Sequence, residues 1–390
     1  INSARTMQFF VLLIVVAFAQ TIAQSWQTGS MQKYTTLIGV HAVSGGDAYG
    51  AVMDNSVGYG VVRTTDYATT GTFYGPAGAM NMDVAFTGNG QTGALVGLGG
   101  IFIGTPASAN YNKVSSIRGI TQNVEALGNT GFGVTGQFSF SLNDAVNGVC
   151  VSFDAGQTWV HSDIGLDASH YYARYGAFPS ESTWFVSSGM WPSTERAAPS
   201  QRDASQLTKY ITAVPASENN SINFATNGLL AKGTEPTRLR DDTTGWYGAI
   251  SRTTDGGKTW TQVFNTDLYY FNQIHCADVS NCMAVGENDD GAYVVKTDNG
   301  GDSWTEVLQA ASGTSLVAVR MLSSTEAWVS GGAQSRAGGL QGYYYHTTDG
   351  GSTWVLSNAS GYSFDLSFSQ GIGYSAYLTQ SYSSMAVYKQ

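Results

Sequence analysis

Residues 252–260 read "RTTDGGKTW", and residues 346–354 repeat the phrase as "HTTDGGSTW". Looser copies stand at 152–159, "SFDAGQTW", and at 296–304, "KTDNGGDSW". All four fit the pattern Ser/Thr-x-Asp/Asn-x-Gly-x-Thr/Ser-Trp. An Asp at the head of a turn accepts hydrogen bonds from the backbone N–H groups that follow it, and Gly adopts the positive φ that other residues resist. The pattern therefore predicts a tight turn, after which the Trp begins a new strand and packs on the sheet.

One copy of this turn has lost its charge. Asn299 stands where the other copies have Asp, and its amide oxygen is still an acceptor. Because the change keeps the acceptor and removes the carboxylate, we expect a structural and not a catalytic role for the turns. The residues assigned to this role are Asp154, Trp159, Asp255, Trp260, Asn299, Trp304, Asp349 and Trp354, together with Asp66 of a decayed copy at 63–71.

The spacing of the turns predicts the fold. Asp255, Asn299 and Asp349 are 44 and 50 residues apart, and each interval has room for four short strands. A repeat of about 40–50 residues with four strands is typical of a propeller blade. Blades are expected at about 33–73, 80–118, 121–164, from 168 to the turn at 252–260, at 268–308, at 313–357 and from 361 onward.

The last of these blades has only three strands in the sequence after residue 361. "QSWQTG" at 24–29 resembles the "DSW" and "STW" of the later turns, so the N-terminal strand is expected to complete that blade. Pairing the two ends in this way also covers sheet edges that would otherwise aggregate. The sequence therefore predicts an all-β, seven-bladed β-propeller of four-stranded antiparallel blades, closed by its N-terminal strand.

The repeated turn resembles the Asp-box, or BNR repeat, of sialidase-type propellers. In the blade sequences, an apolar strand with "AVG" is followed by a turn such as "TTDGGKTW". This combination is most similar to the photosystem II assembly and stability factor family, above all over 268–357. The members of that family are seven-bladed propellers, so the resemblance implies the same fold. Asp-boxes say almost nothing about activity.

Composition and the N-terminus limit the partners and the location. The chain has 18 Lys and Arg against 28 Asp and Glu, a formal charge of −10, which argues against nucleic acid. The apolar stretch Phe9–Ala19 is too short to span a membrane, for which about 20 residues are needed, and fits a signal peptide. We expect residues 1–23 to be upstream sequence and leader, 24–390 to be one secreted domain without a membrane span, and Asn219 and Asn358 to be N-glycosylation sites. A plastid lumen is the alternative location.

Two of the three cysteines flank a predicted strand–turn–strand. In "IHCADVSNCMAVG", Cys276 and Cys282 can meet across the hairpin, so we expect a disulfide between them. Cys150 is left over as a small buried residue.

The regular spacing breaks in the fourth blade, where an insertion at about 190–245 joins the second and third strands. A long loop in a compact ring is often functional, so we expect this face to bind a protein or carbohydrate ligand. Glu287, Asp289 and Asp290 on the same face are compatible with Ca²⁺, although "DDG" is also ordinary turn chemistry. No other cofactor is expected. The candidate ligand residues are Trp191, Arg202, Asp241, Asp242, Glu287, Asp289, Asp290, Arg336 and Tyr343.

Three functions remain open from the sequence. The leading hypothesis is a non-enzymatic binding or scaffold module. The second is a glycoside hydrolase that uses carboxylates on the same face. A sialidase would need an Arg-Ile-Pro segment, which the chain lacks, and no catalytic residue can be assigned. The third is a protein like the photosystem II assembly factors.

Overall fold

The computed structural model describes residues 25–106, 108, 110–115, 117–139, 145–166, 172–190, 246–334 and 339–389. None of these residues is helical, so no described helix could cross a membrane. The predicted leader and the blade-four insertion from 191 to 245 lie outside the described residues, and so do Trp191, Arg202, Asn219, Asp241, Asp242 and Arg336.

Seven four-stranded antiparallel sheets form the ring, as predicted. Blade 1 is β2 (Thr36–Ser44), β3 (Asp47–Asp54), β4 (Gly58–Thr64) and β5 (Thr72–Tyr74). Blade 2 is β6 (Asn81–Phe86), β7 (Gly93–Gly97), β8 (Gly100–Gly104) and β9 (Asn112–Lys113). Blade 3 is β10 (Arg118–Leu127), β11 (Gly131–Ser139), β12 (Ala145–Ser152) and β13 (Val160–Asp163). Blade 4 is β14 (Tyr172–Ala177), β15 (Trp184–Met190), β16 (Tyr247–Thr253) and β17 (Thr261–Thr266).

The remaining blades follow the same order. Blade 5 is β18 (Tyr270–Cys276), β19 (Cys282–Asn288), β20 (Gly291–Thr297) and β21 (Thr305–Gln309). Blade 6 is β22 (Ser315–Met321), β23 (Ala327–Gln334), β24 (Leu340–Thr347) and β25 (Val355–Ser360). Blade 7 is β26 (Tyr362–Ser369), β27 (Ile372–Leu378), β28 (Ser383–Lys389) and β1 (Gln27–Thr28). The first strands of neighbouring blades contact each other in cyclic order, and β2 contacts β26, so the ring is closed around these inner strands.

The N-terminal strand completes blade 7, which confirms the predicted closure. Gln27 pairs with Val387 at the outer edge of that blade. Trp26, only 5% exposed, stacks on Tyr344 of blade 6 with ring centroids 4.5 Å apart and meets Trp328 edge-on at 5.7 Å. The N-terminus therefore fills an aromatic seam between blades 6 and 7 as well as supplying a strand.

The repeated turn, which we call the aspartate turn, is held by its own side chains. In the blade-four copy, the Thr259 hydroxyl and backbone N–H donate to the Asp255 carboxylate at 2.6 and 2.9 Å, and the Thr253 hydroxyl donates at 2.8 Å. These hydrogen bonds, those from Thr259 first, lower the pKa of Asp255 to about 2. Asn299 keeps the arrangement, because its Oδ1 accepts the Ser303 N–H at 3.0 Å.

The aspartate turn also joins neighbouring blades. Gly257 has φ +82°, and a Cβ there would lie 2.6 Å from Ser162 Oγ of blade 3, so the turn of blade 4 sits directly against β13. The Trp260 indole N–H donates to the same oxygen at 2.8 Å. In the decayed first copy, Ala68 takes the equivalent position with φ +55°. The Gly of the pattern therefore serves both the left-handed turn and the close approach of two blades.

The predicted disulfide is present. Cys276 and Cys282 are paired across β18 and β19, with Cα atoms 4.0 Å apart and a bond between their sulfurs. Cys150 is free and buried, and burial raises the pKa of its thiol.

The aromatic closure leads to a first prediction. Trp26→Ala should lower the free energy of unfolding by about 3–5 kcal/mol, because it empties a buried aromatic site at the joint of the ring. Gln27→Ala on the same short strand is the matched control, since Gln27 is exposed, and it should change stability by less than about 0.5 kcal/mol. Urea unfolding measures both, and equal losses in the two variants would contradict the assigned role of Trp26.

The aspartate turn leads to a second prediction. Asp255→Asn should lower the melting temperature less than Asp255→Ala does, because Asn keeps the acceptor that Asn299 uses in blade 5. Thermal unfolding of the two variants beside the parent chain is the measurement. If Asn and Ala at this position are equally destabilising, the turn depends on charge and not on the hydrogen bonds described above.

Candidate functional site

Each inner strand carries a β-bulge at the same level of the ring. All seven bulged residues are 3% exposed or less, so this level is closed to solvent. They are polar in blades 3, 4 and 5 and apolar in the other four. In blade order they are Ile38, Met82, Gln122, Arg174, Asn272, Val317 and Phe364.

The residue after the bulge often accepts a hydrogen bond from the next blade. Asp365 of blade 7 accepts the backbone N–H of Val40 in blade 1 at 2.9 Å, and Asp83 of blade 2 accepts that of Val124 in blade 3 at 2.9 Å. An inner strand has a free edge, and a buried N–H without an acceptor costs about 1–3 kcal/mol. The two carboxylates therefore satisfy backbone groups of neighbouring blades.

Two neutral side chains do the same at other seams. Asn123 Oδ1 accepts the Gly176 N–H at 2.9 Å, and Gln273 Oε1 accepts the Val319 N–H. The Gln273 amide also donates to Asp365 Oδ1 at 3.3 Å, which links blade 5 to blade 7 across the axis. Polar side chains at this level are thus part of how the ring is held together.

A second polar level lies two residues further along the inner strands. His275 Nδ1 accepts the Met321 N–H at 3.1 Å, and Ser367 Oγ accepts the Ala42 N–H at 2.9 Å. Glu125 accepts the N–H of residue 178 at 3.4 Å. Both levels therefore follow one rule, in which a side chain of one blade accepts a backbone N–H of the next.

The two levels line a cavity of about 340 Å³ on the axis of the ring. Its residues run from the bulges toward the C-terminal ends of the inner strands. The third strand of a blade runs parallel to the first, so this is the face of the aspartate turns. Ionisable groups line its inner part and apolar side chains its outer part. The first set is His41, Asp83, Glu125, His275, Arg320 and Asp365, and the second is Ala42, Ala126, Met321, Leu322 and Phe368.

Asp83 and Asp365 form the floor of this cavity. They are 8% and 6% exposed. Burial raises the pKa of both carboxyl groups, and the repulsion between them raises that of Asp83 further. Gly39 of blade 1 lies against Asp83, since a Cβ there would come within 2.7 Å of Asp83 Oδ1. A side chain at residue 39 would displace that carboxylate.

The second level contains Arg320, the one Lys or Arg among the described residues that line the cavity. Arg320 Nη1 donates to Glu125 Oε1 at 3.4 Å, and its Nε donates to the Leu366 carbonyl at 3.1 Å. Burial raises the pKa of Glu125 to about 7 although the Arg320 charge acts to lower it. Burial, and then the same charge, lower the pKa of His41 to about 4 and that of His275 well below its usual value. Both imidazoles are therefore neutral at neutral pH.

The candidate ligand residues predicted from the sequence that are described lie at the other end of the ring. Glu287, Asp289 and Asp290 are in or beside the β19–β20 loop, which joins second and third strands, and Tyr343 is half-buried on β24. Glu287 accepts a hydrogen bond from the Tyr270 hydroxyl. The structure places Glu287 near the end of β19 and Asp289 and Asp290 in the loop that follows, and none of these or Tyr343 lines the cavity.

The "DDG" loop has the geometry of an ordinary turn. Asn288 Oδ1 accepts the N–H groups of Asp290 and Gly291 at 2.8 and 3.0 Å, and Asp289 and Asp290 are exposed. In the part of the chain that the structure describes, no three His, Cys, Asp or Glu side chains are placed to share a metal ion. The described residues thus offer no support for Ca²⁺ at this loop.

Sequence reasoning missed all six ionisable residues of the cavity. A signal for two of them exists, because "MDVAF" at 82–86 and "FDLSF" at 364–368 place a carboxylate at the same position of two otherwise apolar inner strands. A charge inside a strand that faces the axis is unusual enough to mark the position.

Comparisons with known proteins show the fold and no more. No protein-family model matches the sequence, and no curated protein matches it. The structure of YCF48 bound to D1 peptide has a TM-score of 0.55 and 12% identity, over 94% of this chain and 95% of that chain. The WD40 propeller domain of Doa1 has a TM-score of 0.54 and 8% identity, over 94% of this chain and 97% of that chain. A polysaccharide lyase of family PL25, an ulvan lyase, has a TM-score of 0.51 and 10% identity, over 93% of this chain and 94% of that chain. Propellers of this shape thus include binding proteins and enzymes.

The half-buried Glu125 leads to a third prediction. Its pKa is raised from 4.5 to about 7, so between these values the folded chain holds a proton that the unfolded chain does not. The stability that Glu125 contributes is therefore present at low pH and lost as the pH rises through 7. From about pH 5 to pH 8, the parent chain should lose up to about 3 kcal/mol relative to Glu125→Gln.

Urea unfolding of both proteins at several pH values measures this difference. His41 has the opposite slope below pH 6.5, and it cancels because both proteins contain it. A difference between the two proteins that does not change with pH would show that Glu125 titrates normally.

Proposed function

We propose that this chain is a non-enzymatic β-propeller that binds a segment of another macromolecule in its axial cavity. The observation that carries the proposal is the cavity itself, about 340 Å³ with ionisable groups inside and apolar side chains at its outer edge. Concave sites with an apolar lining and a few converging polar groups are the usual form of ligand sites in proteins. This site lies on the face of the aspartate turns. The opposite face, favoured by the sequence, depends on an insertion outside the described residues and stays a prediction.

A peptide fits the cavity better than a glycan does. Among the described residues that line it, Phe368 is the one Phe, Tyr or Trp, so there is little aromatic surface on which a sugar ring could stack. The structural similarity to YCF48 bound to D1 peptide supports a peptide ligand in general terms. At 12% identity it carries no statement about which peptide, and a role like that of photosystem II assembly factors is an alternative.

A carboxylate-based glycoside hydrolase or lyase is the other alternative. It is supported by the raised pKa values of Asp83, Asp365 and Glu125, since acid–base enzymes use carboxyl groups tuned in this way. The seam hydrogen bonds weigh against it. Each of these carboxylates already accepts a backbone N–H from a neighbouring blade, which gives it a structural reason to be there.

We also propose that the aspartate turns are Asp-boxes and that the mature protein is secreted after loss of its leader. Asn358 supports an extracellular location, because it is exposed on the outer strand β25 where a glycan could be attached. Expression in a eukaryotic secretory host, followed by glycosidase treatment and mass spectrometry of the peptide containing Asn358, tests this proposal.

Peptide selection tests the binding function. A randomised peptide library displayed on phage is selected on the parent chain and then compared on Ala126→Trp, which fills the outer part of the cavity at a half-buried position. Selected peptides should bind the parent with micromolar affinity, and Ala126→Trp should weaken them at least about tenfold. Val355→Trp is the matched control, because Val355 is 69% exposed on the outer edge of blade 6 and should leave binding unchanged.

Two outcomes would contradict the proposal. One is a selection that gives no peptides, or peptides that bind Ala126→Trp and the parent equally well. The other is turnover of a glycoside or polysaccharide panel that is lost in Asp83→Asn or Asp365→Asn, which would favour the enzyme.

A further inference from the structure

We infer that the cavity accepts a cationic side chain, the lysine or arginine of a partner segment, with its charged group directed at Asp83 and Asp365. This inference rests on the proposed function, that the cavity binds a segment of another molecule. It goes further because it assigns the chemical class of the group that enters.

The first observation is a pair of buried carboxylates that form no direct ion pair with a described residue. Asp83 and Asp365 are both more than nine-tenths buried, and both line the cavity. Neither forms an ion pair with any residue in the described ranges. Burial of a carboxylate without a cation is expensive, so a cation that reaches the floor of the cavity would relieve that cost.

The second observation is the unused acceptor capacity of these carboxylates. Asp83 Oδ1 accepts the Val84 N–H at 2.8 Å, and Oδ2 accepts that of Val124 at 2.9 Å. Each carboxylate oxygen has two acceptor sites, so each oxygen of Asp83 has one left. Asp365 likewise accepts one of the seam hydrogen bonds at Oδ2 and an amide hydrogen bond at Oδ1. The floor thus holds acceptors suited to an ammonium or guanidinium group.

The third observation is the apolar outer part of the cavity. Ala126 and Phe368 are half-buried there, and Leu322 beside them is 37% exposed, while Ala42 and Met321 also line the cavity but are buried in the hydrophobic clusters between blades. Lysine and arginine combine a hydrocarbon stem with a charged end, and such stems pack on apolar surface. An apolar outer part above an acidic floor therefore matches the two parts of one of these side chains.

Arg320, the one Lys or Arg among the described residues that line the cavity, forms no direct ion pair with the floor. Its charge acts to lower the pKa of Asp83 and of Asp365, but burial outweighs this effect at both carboxyl groups. Arg320 is tied to Glu125 and to the Leu366 carbonyl at the second polar level. His41 and His275 at that level are neutral at neutral pH, and Tyr175 of blade 4, whose pKa is raised by burial and by Asp365 and Asp83, is neutral as well. Without a ligand, protons bound to the floor carboxyl groups reduce its charge.

Binding of a cation should therefore release protons. Below the raised pKa values a proton and the ligand compete for the same carboxylates, so affinity rises as the pH rises through those values. Asp83 and Asp365 lose protons as the pH rises through their raised pKa values, and Glu125 does so at about 7. At neutral pH the lining residues His41 and His275 are already neutral, and so is Tyr175, which interacts with both aspartates.

The test uses a Gly/Ser heptapeptide with one central arginine and the same peptide with citrulline, which has the same shape without the charge. Both are titrated into the full chain by calorimetry at several pH values and in two buffers of different ionisation enthalpy. The arginine peptide should bind at least about tenfold more tightly than the citrulline peptide and release protons. Asp83→Asn should abolish the difference, while Asp289→Asn, an exposed carboxylate at the other end of the ring, should preserve it.

The outcomes separate this inference from the proposed function. Equal affinities of the two peptides, or an affinity that falls as pH rises, would overturn the cationic ligand. If the selected library peptides lack lysine and arginine but still fail on Ala126→Trp, the cavity binds peptides and only the present inference is wrong. If Asp83→Asn does not fold, Ala126→Trp replaces it and should weaken the arginine peptide.

Discussion

The carboxylate of Asp365 accepts the backbone N–H of Val40 across the seam that joins the last blade to the first. The rest of the ring depends on this kind of contact. Every inner strand has one edge that its own blade cannot pair, and its N–H groups need acceptors from elsewhere. Side chains that follow the bulges supply them at several seams. The aspartate turn and its tryptophan in blade 4 join blades 3 and 4 further out, so that seam is held at more than one radius.

This constraint places charged groups where a globular protein usually avoids them. Two of the inner acceptors are aspartates, and Gly39 leaves the space that Asp83 occupies. Their burial raises the pKa values and leaves acceptor capacity directed at the axis. The groups that hold the inner strands together are thus also the groups that give the cavity its chemical character. Under the proposed function, structure and recognition share these residues, so a substitution here should affect both.

Local sequence signals predicted the fold, but they did not predict the side-chain contacts between residues far apart in the chain. The aspartate turn and the Cys276–Cys282 hairpin each depend on residues close together in the chain, so their patterns are visible in one sequence. The strand after Trp26 pairs with residues about 360 positions away, but the resemblance of "QSWQTG" to the later turns made it visible. The contact between Val40 and Asp365 joins residues 325 positions apart, and no local pattern announces it. The cavity is assembled from six inner strands, which explains why it was missed.

The ligand face predicted from the sequence rested on different grounds. Loop length pointed to the insertion of blade 4, whereas the described cavity is formed by strand residues whose side chains meet only after the ring closes. A long loop is visible in the sequence as a break in the repeat, but the convergence of side chains from several blades on the axis is not visible there. The one sequence signal of this convergence is weak: Asp83 and Asp365 are charged residues at matching positions of two blades.

The titration of the Asp83 side-chain carboxyl group tests the central claim most directly. Carbon NMR of the parent chain labelled in its aspartates, with Asp83→Asn to assign the resonance, follows this group between about pH 3 and pH 9. The account predicts that Asp83 titrates well above its ordinary value of 3.8 and that an arginine-containing peptide lowers its midpoint. A midpoint near 3.8 that no cation shifts would show that the floor of the cavity is an ordinary solvated carboxylate, and the cationic ligand would then have no basis.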